Sequence, residues 1–172
     1  MTTAAEVFES AIDWLRENYT RFHFFLERDI VWTIHLALLR RIDEQSLPFR
    51  ISYNYPLAPG FLADLVIFDE DDAVEIAAEF KYEPSHSRVD IPRAKLPAVF
   101  WAGPGSVGKD VERVLQAIAD GKTRVAYSVF IDEGGYCRYR DPHPGSVWLD
   151  WDCPGNPPRR VSILWSRVAT DQ

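Results

Sequence analysis

Cysteine is scarce in this chain: Cys137 and Cys153 are the only two in 172 residues. That is too few for a disulfide framework, and they lack the close paired spacing of a zinc site. Both are read as reduced thiols, with His143 between them insufficient to complete a metal set. The first twenty residues, MTTAAEVFESAIDWLRENYT, carry acids where a secretory signal needs a basic start and an unbroken apolar run. Export is therefore not expected, and a cytoplasmic location is. No stretch approaches the roughly 18 uncharged apolar residues of a membrane span, so no membrane partner is expected either. Internal repeats and long linkers are also missing, and the expectation is a single domain over residues 1–172.

Positive charge is in short supply too. The net charge of −7 argues at first against a polyphosphate partner. Its distribution changes that reading. Between residues 64 and 83 lie eight acids (Asp64, Asp69, Glu70, Asp71, Asp72, Glu75, Glu79, Glu83) and one base, Lys81, which already sum to −7. The other 152 residues balance, with 18 acids against 18 bases. Concentrated acidity suits a divalent cation, although a solvated hairpin tip at residues 69–72 accounts for part of it. A 47% apolar content with 13% aromatics is ample for a folded core.

Helical spacing over residues 4–18 puts Val7, Ala11, Trp14 and Leu15 on one side, and a second helix is expected over about 27–43. Pro48 ends it. Residues 49–55, 61–68 and 73–82 read as strands from their β-branched and aromatic content, the last two joined as a hairpin by the acidic turn. A third helix over about 109–120 carries Val111, Val114, Leu115 and Ile118 at core spacing, with Gly121 as its stop. Residues 124–131 and 160–168 are further strands, and the Pro- and Gly-rich 141–158 is loop with a short strand at 147–151. The order predicts a mixed α/β fold: a three-strand meander, a crossover helix onto the same sheet, and flanking helices.

Asp64 stands inside an apolar strand, and Glu79-Phe80-Lys81 lies in the next. Period-two geometry sets Glu79 and Lys81 on one face, and hairpin pairing brings Asp64 beside them. A carboxylate in an apolar strand costs stability unless something compensates it, as a bound cation would. This pattern resembles the PD-(D/E)XK nuclease superfamily, in which an acid on one strand precedes an acid, any residue and a lysine on the next. The resemblance spans the element order of about residues 20–131, with Ala63 in place of the family's proline. A second acid-x-lysine, Asp120-Gly121-Lys122 preceded by Asp110, falls on a helix and its end and lacks that setting.

The resemblance implies a restriction endonuclease-like fold and hydrolysis of phosphodiester bonds, in DNA first, by an endo- or exonuclease using Mg²⁺ or Mn²⁺. The implied metal ligands are Asp64, Glu79, the carbonyl of Phe80 and an acid from the preceding helix. Lys81 would orient or help deprotonate a water and offset phosphoryl charge. For the helix acid, 100° per residue centres Glu27 on the face of Ile30, Val31, Ile34 and Leu38 and turns Asp29 about 160° away, so Glu27 is chosen. A first-turn acid also favours a helix N-terminus without any site. Arg88, Arg93 and Lys95 are candidates to meet the nucleic acid backbone, Gln116 is an accessory polar group, and a homodimer is compatible with the reading.

Two alternatives stand beside this one. Gly103 to Lys109 matches P-loop spacing, but Asp110 occupies the place of the Mg²⁺-binding hydroxyl, and the acidic strand end at Asp132-Glu133 follows too soon. The other is a nuclease-like module that binds without cutting.

Overall fold

The computed structural model describes residues 2–91, 98–101, 103 and 105–170. Two helices come first. Helix α1 (Ala4–Asn18) is opened by a capping box, in which Thr3 Oγ1 accepts from Glu6 N and Glu6 accepts from Thr3 N at 2.8 Å. A single 3₁₀ turn leads to α2 (Glu27–Gln45), whose end is marked by Ser46 in the left-handed conformation. Three strands follow, β1 (Arg50–Ala58), β2 (Phe61–Phe68) and β3 (Val74–Glu83), then α3 (Val107–Ala119), β4 (Val125–Asp132), β5 (Ser146–Cys153) and β6 (Arg159–Ala169).

The six strands form one sheet in the order β1-β2-β3-β4-β6-β5. Every neighbouring pair is antiparallel except β3 and β4, which run parallel because α3 carries the chain across between them. The expected meander and crossover are both present. Helices α1 and α2 cover one face, where Phe8, Leu15, Ile34 and Leu38 meet Leu65, Phe80 and Tyr127. Helix α3 covers the other, with Ala117 against Val66 and Ala77 and Val107 against Phe130. No helix among the described residues is long and apolar enough to cross a membrane.

Some local expectations need correction. Trp14 is 36% exposed, and the buried stripe of α1 is instead Val7, Phe8, Ala11, Ile12 and Leu15. On α3, Leu115 is 38% exposed while Asp110 is buried with Val107, Val111 and Val114. Strand β1 continues through Pro56 rather than stopping there, which its place at the sheet edge permits, since an edge residue can forgo one donor. Strand β5 is longer than the short segment read from sequence. It is the opposite edge, and only Trp151 and Cys153 of its eight residues are buried.

Candidate active site

Both ladders of β2 lose their regularity at Asp64. Towards β3, paired residues run from Phe68↔Val74 to Leu65↔Ala78 and stop, although both strands continue. Towards β1, the pairs Tyr53↔Leu65 and Tyr55↔Ala63 skip Asn54, which adopts a positive φ of 50°. Into the gap beside β3 the Asp64 side chain inserts, and its Oδ2 accepts the backbone N–H of Phe80 at 2.7 Å. A carboxylate oxygen has replaced a ladder carbonyl, which is how an acid is tolerated within an apolar strand.

Glu79 and Lys81 follow on β3, on the face opposite Ala78, Phe80 and Tyr82, whose side chains enter the core beneath α1 and α2. Phe80 can therefore serve the site only through its backbone. Glu79 is 4% exposed. Lys81 Nζ lies 3.2 Å from Glu27 Oε2 on α2 and 3.3 Å from Asp110 Oδ2 on α3, so one ammonium ties helices from both faces of the sheet. Arg113, one turn beyond Asp110, places Nη1 3.4 Å from Asp110 Oδ1 and 4.0 Å from Glu79 Oε2. The structure thus gathers Asp64, Glu79, Lys81 and Glu27, and adds Asp110 and Arg113, which the sequence reading did not place there.

Among the described residues of the site, burial leaves Asp64, Glu79 and Asp110 reluctant to ionise. Burial, then the charges of Asp64 and Asp110, hold the Glu79 carboxyl well above the usual carboxylate range. Asp64 is raised by its own burial, against the pull of the Phe80 amide, and Asp110 is raised by burial despite Lys81. Burial disfavours the charge on Lys81, but Asp110 and Glu27 outweigh it and the group stays protonated above its ordinary range. A lysine held in that state is a fixed positive charge and a poor proton acceptor.

Whether these residues suit a divalent cation can be judged from the donors. Glu79 Oε1 is buried without a hydrogen-bond partner, and its neighbour across the gap is a second carboxylate that repels it. A cation would relieve both. Among the described residues no group of three or more His, Cys, Asp or Glu is arranged to hold a metal ion. Mg²⁺ commonly uses one or two carboxylates and keeps several waters, so the pair Asp64 and Glu79 fits a sparse site of that kind and no closed cage.

The remaining candidates separate clearly. Asp29 accepts the backbone N–H groups of Phe25 and Leu26 at 2.9 Å each, so it secures the first turn of α2 and is spent there. Arg88 is turned inward: its guanidinium donates to the Phe24 carbonyl at 2.7 Å and pairs with Asp90 and Glu133. These intramolecular partners engage the side chain expected at the nucleic acid backbone. Arg93 and Lys95 lie outside the described residues. Gln116 bonds to Asp120 at 2.7 Å on the exposed side of α3, away from the acids.

The P-loop resemblance has a packing explanation. Residues 98–100, before the glycines, are not a strand, and Lys109 points to Glu112 on its own helix. A Cβ on Gly108 would come within 2.7 Å of the His143 ring and 2.9 Å of the Trp101 carbonyl, so glycine is needed for close approach. His143 itself packs on Phe100 and bonds to its carbonyl oxygen, and both cysteines are buried free thiols.

Set against models of protein families, curated proteins and solved structures, the chain has no match.

Proposed function

We propose that the chain is a metal-dependent nuclease of the PD-(D/E)XK type, built on a restriction endonuclease-like sheet and hydrolysing phosphodiester bonds, with DNA as its first candidate substrate. The observation that carries the reading is the meeting of Asp64, Glu79 and Lys81 where β2 and β3 cease to pair, with a buried Glu79 oxygen lacking a hydrogen bond. A Mg²⁺ or Mn²⁺ ion, when bound, polarises the scissile phosphate and makes a bound water more acidic.

The carboxylates of Asp64 and Glu79 would hold that ion, with the Phe80 backbone beside them. Lys81, kept protonated by Asp110 and Glu27, offsets phosphoryl charge as it develops. Glu27 orients the lysine and would be the helix acid available to the ion, and Arg113 offers a second cation beside Glu79. Tight positioning favours this role, because fixed charges in a site of low polarity need no reorganisation as reaction proceeds.

A panel of labelled single- and double-stranded substrates incubated with Mn²⁺ tests the proposal. Cleavage that stops on chelation and is absent in Glu79→Ala supports it; undiminished cleavage by that variant would sink it. A second reading is a module that binds nucleic acid without cutting it. Measurable Mg²⁺ or Mn²⁺ binding separates the two.

A further inference from the structure

Beside Asp64 the molecule opens into a cleft of ≈ 600 Å³ between α2 and β1, whose wall includes Glu27, Asp64, Arg28 and the rings of Trp32, His35 and Tyr53. Its size is that of a small-molecule site. Trp32 is 52% and Tyr53 53% exposed, an unfavourable placement for two large rings in the same hollow. They are held in a defined arrangement. The Trp32 and His35 rings are parallel within 6° with centroids 5.5 Å apart, and Tyr53 stands at 85° and 88° to them. His35 is only 8% exposed, and its Nδ1 has no hydrogen-bond partner among the described residues.

The backbone contributes as well. Asn54 follows Tyr53 with a positive φ, within a strand where such a conformation is costly, and it also lines the cleft. Burial lowers the basicity of His35, which favours an uncharged ring beside Trp32.

We infer that this cleft takes an unstacked nucleobase of a single-stranded nucleic acid, adjoining the phosphate presented to Asp64. The placement next to a scissile phosphate rests on the nuclease reading; the aromatic cleft does not. Flat rings offered to solvent suit the π-face of a base, which a duplex hides within its stack. Arg28 on the same wall supplies positive charge for the adjoining backbone, while Asp64 and Glu27 mark the end at which that backbone is presented.

The test compares two labelled strands of equal length, an oligothymidylate and a sugar-phosphate strand without bases, bound in the presence of chelator so that neither is cut. Both carry the same phosphate charge, so their affinity ratio isolates the base contribution. The native protein should bind the thymidylate about 5- to 150-fold more tightly, the range for stacking on one aromatic side chain. Trp32→Ala and Tyr53→Ala should each bring the ratio towards one and leave affinity for the baseless strand unchanged. Tyr139→Ala, which removes an 80% exposed ring that does not line the cleft, should leave the ratio intact. A native ratio near one, no binding of either strand, or a ratio unaltered in folded Trp32→Ala and Tyr53→Ala overturns the inference. Mn²⁺-dependent cleavage without any base preference overturns the base site and spares the nuclease reading; base preference without cleavage does the reverse.

Discussion

Asp110 Oδ2 lies 3.3 Å from Lys81 Nζ, although one residue belongs to a crossover helix and the other to the strand that the helix leaves behind. The contact fixes the charge state of the lysine, because Asp110 is the largest influence raising its pKa. In Asp110→Asn that support is lost, and Lys81 should deprotonate at lower pH. The expected outcome is a pH–rate profile whose alkaline limb moves down in pH, with chain fold unchanged by circular dichroism. An unmoved limb would mean that Asp110 only packs the helix.

Lys81→Ala removes an ammonium shared by Glu27 and Asp110. Cleavage should fall by on the order of 10² or more, the usual scale for losing a positioned catalytic group. Single-turnover rates at saturating Mn²⁺ are the measurement, and a loss confined to substrate affinity would instead make Lys81 a binding residue.

Glu79, Asp64 and Asp110 are all raised above their ordinary values, chiefly by burial, so the folded protein holds protons that the unfolded chain releases. With unfolded values near 4, their contribution to stability is complete below that pH and is lost as pH rises through the raised folded values. Metal-free melting temperature should therefore decline from mildly acidic to alkaline pH, and Glu79→Gln should flatten part of that decline. Mg²⁺ should raise the melting temperature more at alkaline than at acidic pH, since protons compete for the same oxygens. At a hundredfold excess over Kd the gain is about 2.7 kcal/mol, or several degrees for a chain of this size.

Glu27 and Asp29 are two residues apart and should behave differently. Glu27→Gln weakens a contact to Lys81 and removes a charge from the site, so activity should fall at limiting metal and recover in part at higher Mn²⁺. Asp29→Asn weakens the acceptor for two backbone N–H groups, so it should cost about 1 kcal/mol in melting experiments with cleavage retained. The reverse pattern would move Asp29 into the site.

The strands and the meander were readable because β2 and β3 carry long β-branched and aromatic runs divided by a short acidic turn. From them followed the proximity of Asp64, Glu79 and Lys81, and the angular spacing of α2 singled out Glu27. Asp110 and Arg113 were not readable in the same way. An acid at helix spacing among valines looks like a solvated position, and only the packing of α3 across the sheet turns it inward. Strand β5 was obscured for a different reason: at an outer edge most of its side chains meet solvent, and its flanks are rich in Pro and Gly. The inward turn of Arg88 likewise depends on Glu133 and Phe24, which lie 45 and 64 residues away along the chain.

The departure of β1 from regular geometry also bears on what the open edge of the sheet can pair with. An outermost strand offers its unused amide and carbonyl groups as a template for another molecule, and long flat edges invite intermolecular sheet growth. Here that margin has Asn54 at a positive φ and lacks a donor at Pro56, while on the far margin β5 carries Asp150 and Asp152. Continuation of the sheet from one molecule into the next is thereby discouraged at both ends.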